Sequence, residues 1–317
     1  MKKITRIIMV ALFIFLIVWI LAKKTGQPTG TGENLTGNLT LQAGTAYPVI
    51  LVHGWMGKAV DFGPYAMKLQ EDGIAEYKGM IGRQSNESMC PEKWPKNISV
   101  SAEYYYNDNF NHPIEDYAKE LDHVLGLVEN CTGSEDVILV AHSMGGLVSR
   151  KYMADYGHEH VKKLITLASP HYGFNDFTRS EIILMIFDLF TGRKLEIEQM
   201  APNSTFLIVL DEADAGYRDK IVSIGTYNTQ NKTLLFDLPV FQSEIVNFEQ
   251  QYFANTDIAV KLDSTKLAGS KYYQVQGCSH TEILNFRNAY PKGPINNPNT
   301  CPEAYEIVKK EISETSK

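Results

Sequence analysis

Positive charge is short in this chain. Its 317 residues carry 30 Lys and Arg against 37 Asp and Glu, a net charge of −7, and nowhere do the basic residues form a block. A nucleic-acid partner needs a phosphate footprint, so none is expected. Cysteine is scarce as well: Cys90, Cys131, Cys278 and Cys301 are the full set, and no two have C-x-x-C spacing. With no clustered histidines either, the pattern calls for no metal and no cofactor. Internal repeats are also missing, which excludes solenoid and propeller architectures. What remains is a 44% hydrophobic chain, long enough to bury one α/β core of about 250 residues.

The N-terminus stands apart. Lys2, Lys3 and Arg6 precede an unbroken apolar run from Ile7 to Ala22, closed by Lys23 and Lys24. The run falls between the length of a signal-peptide core, about 7–15 residues, and of a comfortable membrane span, about 20. We expect residues 1–24 to be a membrane anchor or signal segment. No clean A-x-A cleavage site follows, which favours an uncleaved anchor. The excess of Lys and Arg before the run places the N-terminus inside and the rest of the chain outside the cytoplasm. Sequons at Asn34, Asn38, Asn86, Asn97, Asn130, Asn203 and Asn231 fit that location, since each accepts a glycan only in a secreted context. Four cysteines allow two disulfides in three pairings. Proximity in sequence favours Cys90–Cys131 and Cys278–Cys301 without deciding the matter.

Residues 25–46 are rich in Gly, Thr and Asn, carry two sequons and read as a tether. From Tyr47 onward, apolar runs alternate with helical patterns, which predicts βαβ units around a parallel sheet. Strands are expected at Tyr47–His53, Ser99–Tyr106, Asp136–Ala141, Val161–Ala168, Asp219–Gly225 and Lys271–Gln276. A helix is expected from Pro113 to Glu129, with Ile114, Tyr117, Ala118, Leu121, Leu125 and Val128 on one face, and a closing helix at Glu303–Ile312. The stretch 173–210 breaks the rhythm. Its apolar run Ile182–Phe190, interrupted by a single acid, is expected to form a lid or cap.

Chemistry concentrates at Ala141-His142-Ser143-Met144-Gly145-Gly146. An apolar strand, a serine in a tight turn and a helix-ready sequence have the form of a nucleophile elbow, a strained turn that exposes the serine hydroxyl at a sheet end. Ala141 stands where a glycine is usual, and a small side chain suits that close strand–helix approach. A serine hydroxyl needs a histidine to take its proton and a carboxylate to orient that histidine. After the last expected strand, Gly277-Cys278-Ser279-His280 puts His280 on a loop at the strand's C-terminal end, where open α/β sheets gather ligands. The other histidines fit less well: His53 and His142 lie in turn motifs, His123 in a helix, His112 before a proline, and His158 and His160 in a polar loop. His171 suits a structural hydrogen bond. The acid belongs on a loop between Ser143 and His280, and Asp257 is chosen over Asp263 and Asp237, which read as solvated charges. Met144 N–H and, in His53-Gly54-Trp55-Met56-Gly57, Trp55 N–H are the expected oxyanion donors.

Four segments then carry a resemblance: Pro48–Gly54, Ala141–Gly146, Leu167–Gly173 and Gln199–Ser204. Together they resemble the α/β-hydrolase lipase/esterase family, nearest its triacylglycerol lipase-like members. The likeness runs from Tyr47 to the C-terminus and fades between Tyr227 and Asn255. It implies an α/β-hydrolase fold over 47–317, with a mostly parallel central sheet flanked by helices. It also implies Ser143, Asp257 and His280 as triad, and Trp55 and Met144 as oxyanion donors. The expected function is hydrolysis of carboxylic, lipid-acyl esters through an acyl-enzyme. The alternatives are an acyltransferase using the same acyl-enzyme and a non-catalytic surface module.

Overall fold

The computed structural model describes residues 44–55, 57–105, 112–174, 194–227, 260–278, 280, 282–284 and 301–317, all within the compact unit Leu41–Lys317. The expected N-terminal anchor, most of the tether and residues 175–193 of the expected lid lie outside them.

Seven strands make one sheet: β1 (Val49–Val52), β2 (Glu76–Gly82), β3 (Ile98–Glu103), β4 (Val137–His142), β5 (Val161–Leu167), β6 (Ile221–Tyr227) and β7 (Lys271–Gln276). Their order is β2-β3-β1-β4-β5-β6-β7, and every neighbouring pair is parallel. Parallel strands need crossover helices, which cover both faces and make the central strands apolar throughout. β1 is accordingly Val-Ile-Leu-Val, with all four residues buried. Ile50 and Val52 face one core, and Val49 and Leu51 the other. The first core is closed by α1 (Ile114–Thr132) and α2 (Met144–Tyr152), which bring Leu121, Val128, Leu147 and Val148 onto the sheet. The second is closed by α3 (Gly63–Glu71) and α4 (Pro302–Thr315), through Tyr65, Leu69, Tyr305 and Val308.

α1 starts after Pro113 with Glu115 and Asp116 in its first turn, which suits the positive end of the helix dipole, and ends at Gly133 in the left-handed region (φ 68°). Within 173–210, the described residues form two short helices, α5 (Lys194–Gln199) and α6 (Thr205–Ala213). Met200, Leu207 and Leu210 from this region join the first core. Ser204 caps α6 by accepting from Leu207 N–H, a favourable N-cap arrangement.

Both disulfides join the pairs that lie nearest in sequence. Cys90–Cys131 ties the loop before β3 to the end of α1. Cys278–Cys301 ties the loop after β7 to the start of α4. Among the described residues, no helix is long and apolar enough to cross a membrane.

Candidate active site

β4 runs directly into α2, and the turn between them is sharp. Ser143 has φ 53° and ψ −127°, a left-handed conformation that costs a non-glycine residue about 1–3 kcal/mol. The surroundings hold it there. Ser143 N–H donates to the Leu167 carbonyl at 2.9 Å, and Gly146 N–H donates back to the Ser143 carbonyl at 3.0 Å. Gly145 has no room for a side chain, since a Cβ there would lie 2.6 Å from the Val52 carbonyl oxygen. Gly54 is just as confined, because its Cβ would lie 2.9 Å from Ser143 Cβ. The loop after β1 is therefore pressed onto Ser143. Ala141 is fully buried in β4 between Val52 of β1 and Thr166 of β5, so its methyl group fits where a glycine is usual.

His280 meets the serine. Its Nε2 lies 2.8 Å from Ser143 Oγ, although 137 residues separate the two. This is the reach required for the imidazole to take the hydroxyl proton. Ser143 is 3% exposed. Asp257 lies outside the described residues, as does Asp237, while Asp263 sits exposed at the surface.

The two expected oxyanion positions are the neighbours in sequence of Ser143 and of Gly54, the glycine packed against it. Met144 follows the serine and heads α2, where the first backbone N–H groups have no intrahelical acceptor. Trp55 lies in the turn closed by Gly57 N–H donating to the Gly54 carbonyl at 3.0 Å. That turn is braced from beneath. Tyr104 O–H donates to the His53 carbonyl (2.5 Å) and Tyr105 O–H to the Gly54 carbonyl (3.3 Å). The His53 ring stacks on Tyr104, and its Nε2 lies 3.1 Å from Glu103 Oε1. Burial works to raise the Glu103 pKa, but the bond to His53, that histidine's charge and the Ala59 N–H hold it below the ordinary carboxylate value. Trp55 Nε1–H donates to the fully buried Glu196 of α5 at 3.1 Å, and Tyr117 O–H donates to the other oxygen of that carboxylate.

His171 has the structural role expected of it. Arg150 Nη1 donates to its Nδ1 at 3.3 Å, which leaves the proton on Nε2, 3.0 Å from Thr166 Oγ1. Burial, then Arg150 and Arg218, push its pKa well below the usual histidine value. Arg150 itself is buried against Asp214 at 2.5 Å.

Three residues of this region carry no recognisable local signal: Glu103, Glu196 and His142. Glu196 contacts Trp55 across 141 positions and Tyr117 across 79, so no motif could join them. His142 Nε2 lies 2.7 Å from the backbone oxygen of His280.

Comparison with known proteins agrees with this architecture. The family described as "PGAP1-like alpha/beta domain" matches residues 43–228. A probable lysophospholipase L2 of Haemophilus influenzae is 34% identical over 84 residues, 26% of this chain and 25% of that protein. The chain thus matches about a quarter of that relative's length. Among solved structures, the mature lipase BlEst2 of Bacillus licheniformis superposes with a TM-score of 0.53 at 16% identity, covering 80% of this chain and 91% of that one. The lin2722 product of Listeria innocua gives 0.53 at 16%, covering 83% and 94%. Phospholipase PlaB of Legionella pneumophila gives 0.51 at 14%, covering 86% and 64%. These likenesses establish the α/β-hydrolase fold.

Proposed function

Because this chain belongs to the PGAP1-like alpha/beta domain family and pairs Ser143 with His280, we propose that it is a serine hydrolase of carboxylic esters. The observation that carries the reading is the 2.8 Å approach of His280 Nε2 to Ser143 Oγ, on a serine whose backbone is held at positive φ. His280 takes the hydroxyl proton as Ser143 Oγ attacks the ester carbonyl. The oxyanion forms against the Met144 and Trp55 N–H groups, each such donor being worth about 3–4 kcal/mol. His280 then passes the proton to the leaving alcohol, and an acyl-enzyme remains on Ser143. Water, activated by the same imidazole, releases the acid and frees the serine. Asp257 is the third member of the triad and orients His280.

The substrate class is lipid acyl ester. Its support is the apolar run Ile182–Phe190 in the lid stretch 173–210, together with the likeness to a lysophospholipase, a lipase and a phospholipase. Residues 1–24 anchor the chain in a membrane, 25–46 form a tether, and the catalytic domain 47–317 lies outside the cytoplasm, its sequons glycosylated. The oxidising compartment required by the two disulfides supports that location.

A fluorophosphonate probe tests the reaction class. The wild type becomes covalently labelled at Ser143, and Ser143→Ala takes up no label and loses about 10⁴-fold or more in ester hydrolysis. Failure of folded wild type to label overturns the reading. In a p-nitrophenyl ester series, octanoate is favoured over acetate; the reverse order leaves a short-chain esterase.

A further inference from the structure

Between Ala141 and the nucleophile stands His142, an imidazole that ester hydrolysis does not require. It is the last residue of β4 and only 6% exposed. Its Nε2 lies 2.7 Å from the main-chain oxygen of His280, and the two rings sit 4.8 Å apart at an angle of 48°. A carbonyl oxygen can only accept, so Nε2 of His142 carries the proton and Nδ1 is bare. Burial first, and then the nearby His280, press the His142 pKa down to about 3. The ring is therefore neutral, and a donor at Nε2, throughout the neutral range.

The main chain that receives this bond lies outside the sheet, between β7 and the short 3-10 turn Glu282–Leu284, whose Ile283 carbonyl accepts from Tyr65 O–H at 3.2 Å. His280 follows the end of β7 at Gln276 and a left-handed Gly277 (φ 89°), beyond the ladder with β6, whose last partners are Tyr227 and Gln276. β4, by contrast, lies inside the sheet with all six residues buried. The backbone of His142 continues into the nucleophile, while its side chain reaches the base.

We propose that His142 is a positioning residue: its Nε2–H···O=C bond to His280 fixes the base's main chain and so sets the distance from His280 Nε2 to Ser143 Oγ. One short segment of β4 then places both partners of the proton transfer. The inference rests on the serine-hydrolase reading above. A misplacement of about 1 Å can cost about 100-fold in rate, so the one bond that acts on the His280 carbonyl from the nucleophile's own strand matters.

The test compares full-length wild type, His142→Phe and His142→Gln on a short p-nitrophenyl ester and with the fluorophosphonate probe. His142→Phe lowers kcat about 10–100-fold while KM stays within about threefold, and it slows labelling of Ser143 in proportion. His142→Gln restores an N–H near the position of Nε2 and brings kcat to within about threefold of wild type. Equal kcat in wild type and His142→Phe overturns the proposal, as does a His142→Gln no better than a folded His142→Phe. Should His142→Phe not fold, nitrogen chemical shifts of the wild-type rings decide: Nε2–H on His142 at pH 7 supports the proposal, and an Nδ1–H tautomer overturns it. An inactive, unlabelled wild type defeats the serine-hydrolase reading itself, and this inference with it.

Discussion

The two sides of the Ser143–His280 contact are built on opposite plans. On the serine side, the backbone itself is packed: Gly54 and Gly145 leave no space for even a methyl group, and Ser143 is bonded to the neighbouring β5 edge through Leu167. Nothing there can shift without moving a strand. On the histidine side, the chain has left the sheet, and its attachments among the described residues include discrete ones: the His142 bond, the Cys278–Cys301 disulfide two residues away, the Tyr65 O–H bond to the Ile283 carbonyl, and contacts of the neighbouring residues with the second core. Crowding holds Ser143, whereas tethers hold His280. Close packing is all-or-none, because overfilled interiors do not deform smoothly. Tethers are graded and can be cut one at a time.

The contrast is open to direct attack, and the largest effect is expected on the crowded side. Gly145→Ala forces a Cβ against backbone oxygens of the β1 end, where no flexible side chain can yield. It is expected to cost about 3 kcal/mol in unfolding free energy and to abolish labelling of Ser143, as measured by denaturant melts and probe uptake. A fully stable, active variant would show that the elbow has slack and would remove the distinction.

On the tethered side, replacing Cys278 and Cys301 together by serine opens a loop with a sequence separation of 23 residues. The expected loss is about 2–3 kcal/mol. Ester turnover falls in the same variant while the Cys90–Cys131 crosslink stays intact. The matching double variant at Cys90 and Cys131 serves as the control, since it loses stability but keeps the Ser143–His280 approach. If both variants lose turnover equally, the base is not held by local tethers.

The smallest effect is a pH dependence. His142 and His171 are kept neutral in the fold, the first pressed to about 3 and the second well below its usual value. Unfolded histidines bind a proton near pH 6.5, so below that pH the unfolded state holds more protons than the native one. Stability is therefore present above pH 6.5 and drains away as pH falls toward 3. Between pH 7 and 5.5 each ring is expected to withdraw about 1 kcal/mol. Denaturant midpoints measured across that interval should show the loss, and His142→Gln should remove about half of it. A flat profile would mean that these rings are not buried neutral.

Much of this was legible in the sequence because it rests on local chemistry. The buried parallel strands betray themselves as apolar runs, and the elbow is a contiguous motif. β7 and the histidine beyond it follow from chain order. β2 was missed: Glu-Tyr-Lys-Gly-Met-Ile-Gly has no clean alternation, its register slips between Tyr77 and Met80, and as an edge strand it leaves Met80 exposed. α3 escaped as well, because Phe62, Tyr65 and Leu69 lie among polar and glycine residues. The supporting shell could not be read at all. Glu196 and Trp55, Glu103 and His53, and His142 and His280 are each joined only by the fold, across 50 to 141 positions. A carboxylate in a helix or an imidazole in a turn looks the same in sequence whether it braces a site or faces water. The acid Asp257 lies outside the described residues, so its place in the triad remains a proposal.

The 137-residue gap between Ser143 and His280 also has a meaning in time. A ribosome adding about 5–20 residues per second makes the serine roughly 7–27 s before the histidine. During that interval the elbow can form against β1 and β5, while the His280 imidazole that comes to lie against the Ser143 hydroxyl has not yet been made. On the serine-hydrolase reading proposed above, the nucleophile is shaped before its base exists.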